Sequence, residues 1–459
     1  MKQRPVRLLL IAFSCSALIV LTGGCAAGQS GMPNTPLPQP SVTAVSAPEP
    51  TAAPASDSSA TPGSGQAPDT VPAAVPTEDL IAQVQAGLPA KAFDGVRALP
   101  LIVAPGAAPL WAVLSTGRHN FDLQPVPSHF VAIYTHGDQG WRELARLDLN
   151  TSDGGPDFVD EAFSRQVDLG ASRIWLEISG VSGAHSGSFQ LVSFDGQKLS
   201  LDINTMTPSP GMGTVQDVNG DGKLEVVLDT TDPFVLCYAC GARDIHFSVQ
   251  RWDDAQGKLV EVTLQPLSGQ DDPTGQAVKS AVDLAQGGLW KDALAKIEDA
   301  KSAAAPADPA DKATLDWDYA LIKLHTDAMQ AAIKDVQQAE PSQQPALVLI
   351  QDVFYGDYEA AVGIMGQSQP AVLFSAQSPI TSDPMVANFL PDLSKRLTGV
   401  AAKAIAARPD LAPAYFVRGW AEYLGDPASA DARSDIARAA ELAPDNALFT
   451  GSVAALKAQ

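Results

Sequence analysis

His129-Phe130-Val131-Ala132-Ile133-Tyr134, followed by Gly137-Asp138-Gln139-Gly140 and Trp141, gives the first view of the fold. It is a short run of β-branched and aromatic residues closed by a Gly/Asp turn, the pattern of a β-hairpin. It recurs as Ser188-Phe189-Gln190-Leu191-Val192-Ser193-Phe194 with Asp195-Gly196-Gln197. A third copy is His246-Phe247-Ser248-Val249-Gln250-Arg251-Trp252 with Asp253-Asp254-Ala255-Gln256-Gly257. Phe130, Phe189 and Phe247 recur at nearly equal intervals, so the copies share one ruler. The return segment Leu147-Asp148-Leu149-Asn150-Thr151 recurs as Leu201-Asp202-Ile203-Asn204-Thr205. A further strand-like run precedes each hairpin: Leu110 to Leu114, Ile174 to Ile178, and Leu224 to Leu228.

Period-two patterning with turn signals runs from about Pro100 to Pro266. A unit of two to four antiparallel strands, used three times, is expected. Repeats of this length build propeller blades. Three are few for a closed propeller, so an incomplete or degenerate propeller and a β-sandwich of related hairpins both stay open. Thr77 to Gly95 reads as a short helix plus loop packed on this region.

The third unit carries Asp217-Val218-Asn219-Gly220-Asp221-Gly222-Lys223-Leu224-Glu225. Side-chain oxygens fall at loop positions 1, 3, 5 and 9, and alternate positions of a turning loop point inward, as a hard cation requires. Leu228 stands at position 12, so this is not an EF-hand. The loop resembles the calcium loop of integrin-type FG-GAP/VCBS repeats, with Glu225 where that family usually has Asp. The resemblance implies one Ca²⁺ and the candidate metal residues Asp217, Asn219, Asp221, Lys223 and Glu225. A metal-free turn of Asn-Gly and Asp-Gly is the alternative. The equivalent segments around Asp168 and Gly106 lack the ligands, so one site is expected.

From about Pro273 the period becomes 3.6, in a composition rich in Ala, Leu, Lys, Glu and Gln. Pro306, Pro341, Pro409 and Pro444 are separated by one, two and one lengths of a common interval, and Gly288, Gly356 and Gly425 by two lengths each. Both rulers give a unit of about 34 residues, the length of a helix-turn-helix repeat. The best unit, Leu411 to Pro444, resembles the tetratricopeptide (TPR) consensus. Gly419 is its small residue at the helix crossing, Ala439 lies at the close contact, and Asn446 to Ala458 forms a capping helix. Gln367 to Asp383, with Pro370 and Pro379, is irregular. The fold class expected is an antiparallel β-repeat domain followed by a TPR-like α-solenoid. A generic helical bundle is the alternative for the second part. Trp290, Trp317, Tyr358 and Trp420 are expected to pack in its core.

Upstream, Lys2, Arg4 and Arg7 precede Leu8 to Leu21, an uncharged apolar run. It is short for a membrane span, which takes about 20 residues as a helix. Leu21-Thr22-Gly23-Gly24-Cys25 resembles a bacterial lipobox, which implies cleavage before Cys25 and lipidation of its thiol. An ordinary secretory signal or an uncleaved anchor stays open. Either way the protein is exported, and the resemblance places it in the cell envelope, on the extracytoplasmic membrane face. Gly28 to Pro76 has eleven prolines, no aromatic residue and no Lys or Arg, so it has too little apolar surface to offset its ordering entropy. The organisation expected is therefore a signal over 1–24, a Pro/Ala/Ser/Thr linker over 25–76, the β-repeat domain over 77–266 and the helical domain over 273–459.

The chain of 459 residues holds 30 Lys and Arg against 52 Asp and Glu, a net charge of −22. That balance argues against general nucleic-acid binding. Of four cysteines, Cys237 and Cys240 are expected to pair in an oxidising compartment. His119, His129 and His136 cluster in sequence with Asp122 and Asp138, but at no helix-face spacing, and no Gly-rich phosphate loop or G-x-S-x-G is present. The expected function is therefore non-enzymatic. It is a surface-tethered lipoprotein that binds a protein or peptide partner through the solenoid; a small-molecule substrate is not expected. The alternative is an envelope enzyme or calcium-dependent carbohydrate binder with its site on the β domain, favoured if His119, His136 and Asp122 converge in a cleft.

Overall fold

In a computed structural model, the period-two stretch folds as three four-stranded antiparallel meanders. Described are residues 76–458, except 153, 171, 184–185, 208–212, 232–241, 270–271, 304–305, 339–343, 379–380 and 383. The expected signal over 1–24 and all but the last residue of the expected linker lie outside the described residues. The first meander comprises β1 (Phe93–Leu101), β2 (Leu110–His119), β3 (Phe130–Gly137) and β4 (Gly140–Asp148). After the short β5 (Phe158–Val159) comes the second: β6 (Arg165–Val167), β7 (Ile174–Ser182), β8 (Ser186–Phe194) and β9 (Leu199–Thr207). The third is β10 (Thr214–Gln216), β11 (Glu225–Asp229), β12 (Phe247–Asp253) and β13 (Lys258–Val262), a separate four-stranded sheet. β5 pairs with Gly117 and Arg118 of β2 and with Gly180 and Val181 of β7, which merges the first two meanders into a curled nine-stranded sheet. The three units expected from sequence are present, each with an extra leading strand.

Strand alternation sends side chains to both faces of every meander. Ala112 and Leu114 of β2 and Val131 and Ile133 of β3 pack with Leu176, Ile178, Val192 and Phe194 of the second meander. Trp175, Phe189 and Leu191 face the other way, onto Val226 and Leu228 of the third. Sheets buried on two faces read as near-continuous apolar runs, and the first halves of β2 and β7 do, whereas β8 also buries Ser188, Gln190 and Ser193. An open array leaves one bare face at each end. At one end α1 (Glu78–Ala86) covers it: Leu80 and Val84, one turn apart, pack on Trp111, Val113, Phe130 and Tyr134. At the other end Val227 and Val249 pack on Trp317 and Leu321 of a helix.

That helix is α4, within a helical region of α2 (Pro273–Gln286), α3 (Trp290–Ser302), α4 (Pro309–Val336), α5 (Gln344–Tyr355), α6 (Tyr358–Met365), α7 (Pro370–Leu373), α8 (Pro384–Asn388), α9 (Leu390–Ala407), α10 (Ala412–Gly425), α11 (Ala430–Leu442) and α12 (Ala447–Lys457). Caps set the starts. The Asp272, Asp308 and Asp357 side chains accept from the amides of Gly275, Ala310 and Ala360, and Pro273 and Pro309 occupy the tolerant first turn. The three marked turns join α2–α3, α5–α6 and α10–α11. Gly288 and Gly356 both take the left-handed backbone conformation that glycine reaches without strain. A Cβ on Gly356 would lie 2.5 Å from the Gly288 carbonyl oxygen, so these two equivalent turns touch. The Leu411 to Pro444 unit is the α10–α11 hairpin. A Cβ on Gly419 would stand 2.7 Å from the Ala432 carbonyl oxygen, and Arg418 forks onto Asp435 across the same crossing. Between the α2–α3 and α5–α6 hairpins lies one long helix, α4, rather than a helix pair. Trp290, Trp317, Tyr358 and Trp420 are all buried.

The two regions share apolar surface. Ala242, Ile245 and Leu267, which flank the last sheet, belong to the core of the helices. The Gln351 side chain bonds both the amide and the carbonyl of Arg243, and the Gln265 amide donates to Asp318 of α4. All the described residues fall within one compact unit.

Candidate functional site

The acidic loop 217–225 joins β10 to β11, and its shape comes from its own amides. Asp217 takes the amides of Gly220 and Asp221 on one oxygen and that of Gly222 on the other. Asn219 accepts from the Asp221 amide, and Asp221 from that of Lys223. Gly220 and Gly222 both have positive φ, as the two tight turns of the loop require. Glu225, at the first position of β11, is 2% exposed and accepts from the Val218 amide at 3.0 Å. Burial first, and then the facing Asp221 and Asp217, push its carboxyl up to about 7. Three acids are thus gathered, one of them buried, with like charges opposing its ionisation. That is the electrostatic situation a divalent cation would relieve. As they stand, the carboxylates serve the loop's amides, and among the described residues no three of His, Cys, Asp and Glu are arranged as a metal-ligand set. Cys25, Cys237 and Cys240 lie outside the described residues.

The histidines are not gathered as the enzyme alternative requires. β2 and β3 are antiparallel with Leu110 opposite Thr135, so His136 and His119 stand at opposite ends of this hairpin. His136 packs edge-on against Trp141. His119 instead stacks on His129, with ring centroids 5.2 Å apart and planes 14° from parallel, and its Nε2 is 3.7 Å from Asp157. His129 Nδ1 meets the Ser115 hydroxyl at 2.9 Å, and burial holds the His129 imidazole down at about 4. Sequence reading missed the carboxylate beside this stack because Asp157 arrives through the pairing of β5 with β2.

Three clefts stand out. One of about 800 Å³ lies between the β1–β2 and β6–β7 loops, with Ile102, Arg165 and Arg173 in its wall. A second, about 520 Å³, opens between α2, α3 and the end of α9. Its charged side chains are paired, Lys279 with Asp283, Arg408 with Asp292 and Lys296 with Asp299, and Ser280 and Ala295 line it between them. A third, about 490 Å³, lies between residues 244–246 and α9. Among the described residues no helix is long and apolar enough to cross a membrane. In comparisons with known proteins, no family model matches the chain and no curated protein matches it.

Proposed function

We propose that this protein is an exported, membrane-tethered binding protein whose helical region receives a protein or peptide partner and whose β stack, stiffened by one Ca²⁺ in the 217–225 loop, acts as a spacer. The main support is the cleft between α2, α3 and α9, built on helix hairpins with a recurring turn. Such hairpin stacks present side chains from successive helices to an extended ligand. Lipid on Cys25 would supply the tether, with two acyl chains giving stable anchoring. A Cys237–Cys240 disulfide belongs to the same extracytoplasmic reading. For the cation, Asp217, Asn219, Asp221 and Glu225 offer side-chain oxygens and Lys223 stands between the last two. The ion would stiffen the turn between β10 and β11 by holding carboxylates that otherwise repel.

The test is site-specific photo-crosslinking of the full chain in intact cells, with the photoreactive residue at Ser280 or Ala295 and, as control, at Asp138 in the β3–β4 turn. A defined partner band from the helical positions alone supports the reading. A band from neither helical position, with one from a further probe at Ile102 in the cleft between the β1–β2 and β6–β7 loops, moves the function to the β region.

A further inference from the structure

We propose that the cleft between residues 244–246 and α9 binds a doubly charged oxyanion of the phosphate type. The site stands on its own residues, whether or not the helical region takes a protein partner. Lys395, Gly399 and Lys403 follow one another at four-residue spacing and therefore share a face of α9. Among the described residues Lys395 and Lys403 make no ion pair. On the neighbouring helices Lys279, Lys291, Lys296, Lys301, Lys312 and Lys323 each hold an aspartate, and Lys334 at the far end of α4 does not. In a chain with net charge −22, two lysines outside any ion pair on one helix face, with Asp392 the one carboxylate of α9 in the same cleft, are the informative ones. Between them the floor is bare: a Cβ on Gly399 would meet nothing within 4 Å.

The opposite wall does not repel an anion. Asp244, its nearest acid, is 8% exposed and already held by Arg396 at 2.9 Å and His246 at 3.2 Å. Burial works against its charge, but His246 and Arg396 hold its carboxyl below the usual range, so it is neutralised in place. Counting the cleft's charges, Lys395, Arg396 and Lys403 stand with Asp244 and Asp392, an excess of one cation. Lysine ammoniums act as point charges on flexible stems and can close on an anion from both ends of an open floor. Two of them over a bare backbone suit a compact dianion better than a planar carboxylate, which would call for an arginine fork. A volume of about 490 Å³ leaves room for the body of a phosphomonoester as well as for the ion alone.

The experiment is calorimetric titration of the full chain with inorganic phosphate and, separately, with glycerol phosphate, at low ionic strength. Expected is saturable 1:1 binding, weakened at least tenfold in Lys395→Gln/Lys403→Gln and unchanged in the control Lys334→Gln/Lys457→Gln, whose lysines stand on α4 and α12. Gly399→Leu, which strengthens helix propensity while filling the floor, should weaken binding with no change of charge. Glycerol phosphate binding as well as phosphate points to an esterified ligand, and its exclusion to the free ion. Binding that survives the Lys395/Lys403 pair, falls equally in the control, or is absent at tens of millimolar overturns the proposal.

Discussion

The β stack and the helical region bury apolar residues in different ways. Each meander shares one core with the layer before it and another with the layer after it, so the stack is held by four separate apolar clusters in series. The helices converge on one continuous cluster that runs from Ala242 to Leu456. Series contacts make each layer depend on its neighbours, whereas a common core spreads a defect over many helices. The joint between the two regimes is α4, which ends the stack with Trp317 and Leu321 and feeds the common core with Leu315, Ile322 and Met329.

The contrast is tested most severely by Trp175→Ala. Trp175 is fully buried between the second and third meanders and packs edge-on against Trp252. A loss of about 3–5 kcal/mol is expected. In the series picture the near-ultraviolet signal of the whole chain should fall in one transition, seen by thermal melting. Two well-separated transitions would show that the stack and the helices unfold independently. Next comes Gly419→Leu in the helical core, where the added side chain meets the Ala432 carbonyl and Ile436. It should cost about 1–3 kcal/mol and leave the β signal intact until the main transition, as followed by circular dichroism at two wavelengths.

A smaller effect belongs to the acidic loop of the stack. At a free Ca²⁺ concentration ten times the dissociation constant, about 1.4 kcal/mol of stabilisation is expected. The melting temperature should rise with calcium and return with chelator, and Asp221→Ala should abolish the response. A wild-type curve indifferent to saturating calcium leaves only a bare turn.

The smallest prediction concerns pH. Burial pushes Glu225 of the stack and Asp318 and Asp352 of the helices each up to about 7. A carboxyl whose folded value is raised binds its proton more tightly when folded. The stability it contributes is therefore full below the unfolded value near 4 and is lost as pH rises through about 7. His129 and His325, lowered to about 4, act in the opposite direction, with stability present above about 6.5 and lost as pH falls through 4. Denaturant midpoints should thus decline from pH 5 to 8, and Asp318→Asn should flatten the decline. An unchanged slope in that variant would show that Asp318 does not titrate in this window.

The period-two copies around Phe130, Phe189 and Phe247 were legible because each central strand is long and apolar. The leading strands were not. β1 carries Asp94-Gly95 and Pro100, which read as a loop, and β6 and β10 have three residues each, too short for a period to register. α4 left a signal that the repeat ruler obscured: between Pro309 and Val336 there is no glycine and no second proline to break a helix. The acidic loop was visible as a contiguous motif. The histidine stack and the α9 cleft were not. Their members, His119 with Asp157 and Asp244 with Lys395, are distant in sequence, and only tertiary packing joins them.

Because α1 is the first element of the described residues, tension on the preceding chain would reach the β stack through it. The helix has 9 residues, and Leu80 and Val84 are its buried side chains. Pulled from its N-terminus it peels away one turn at a time, a weak geometry compared with shearing a strand pair such as β1–β2. Under load α1 therefore acts as a fuse: it lets go first, and its release bares Trp111 and Phe130 while the sheets behind them stay paired.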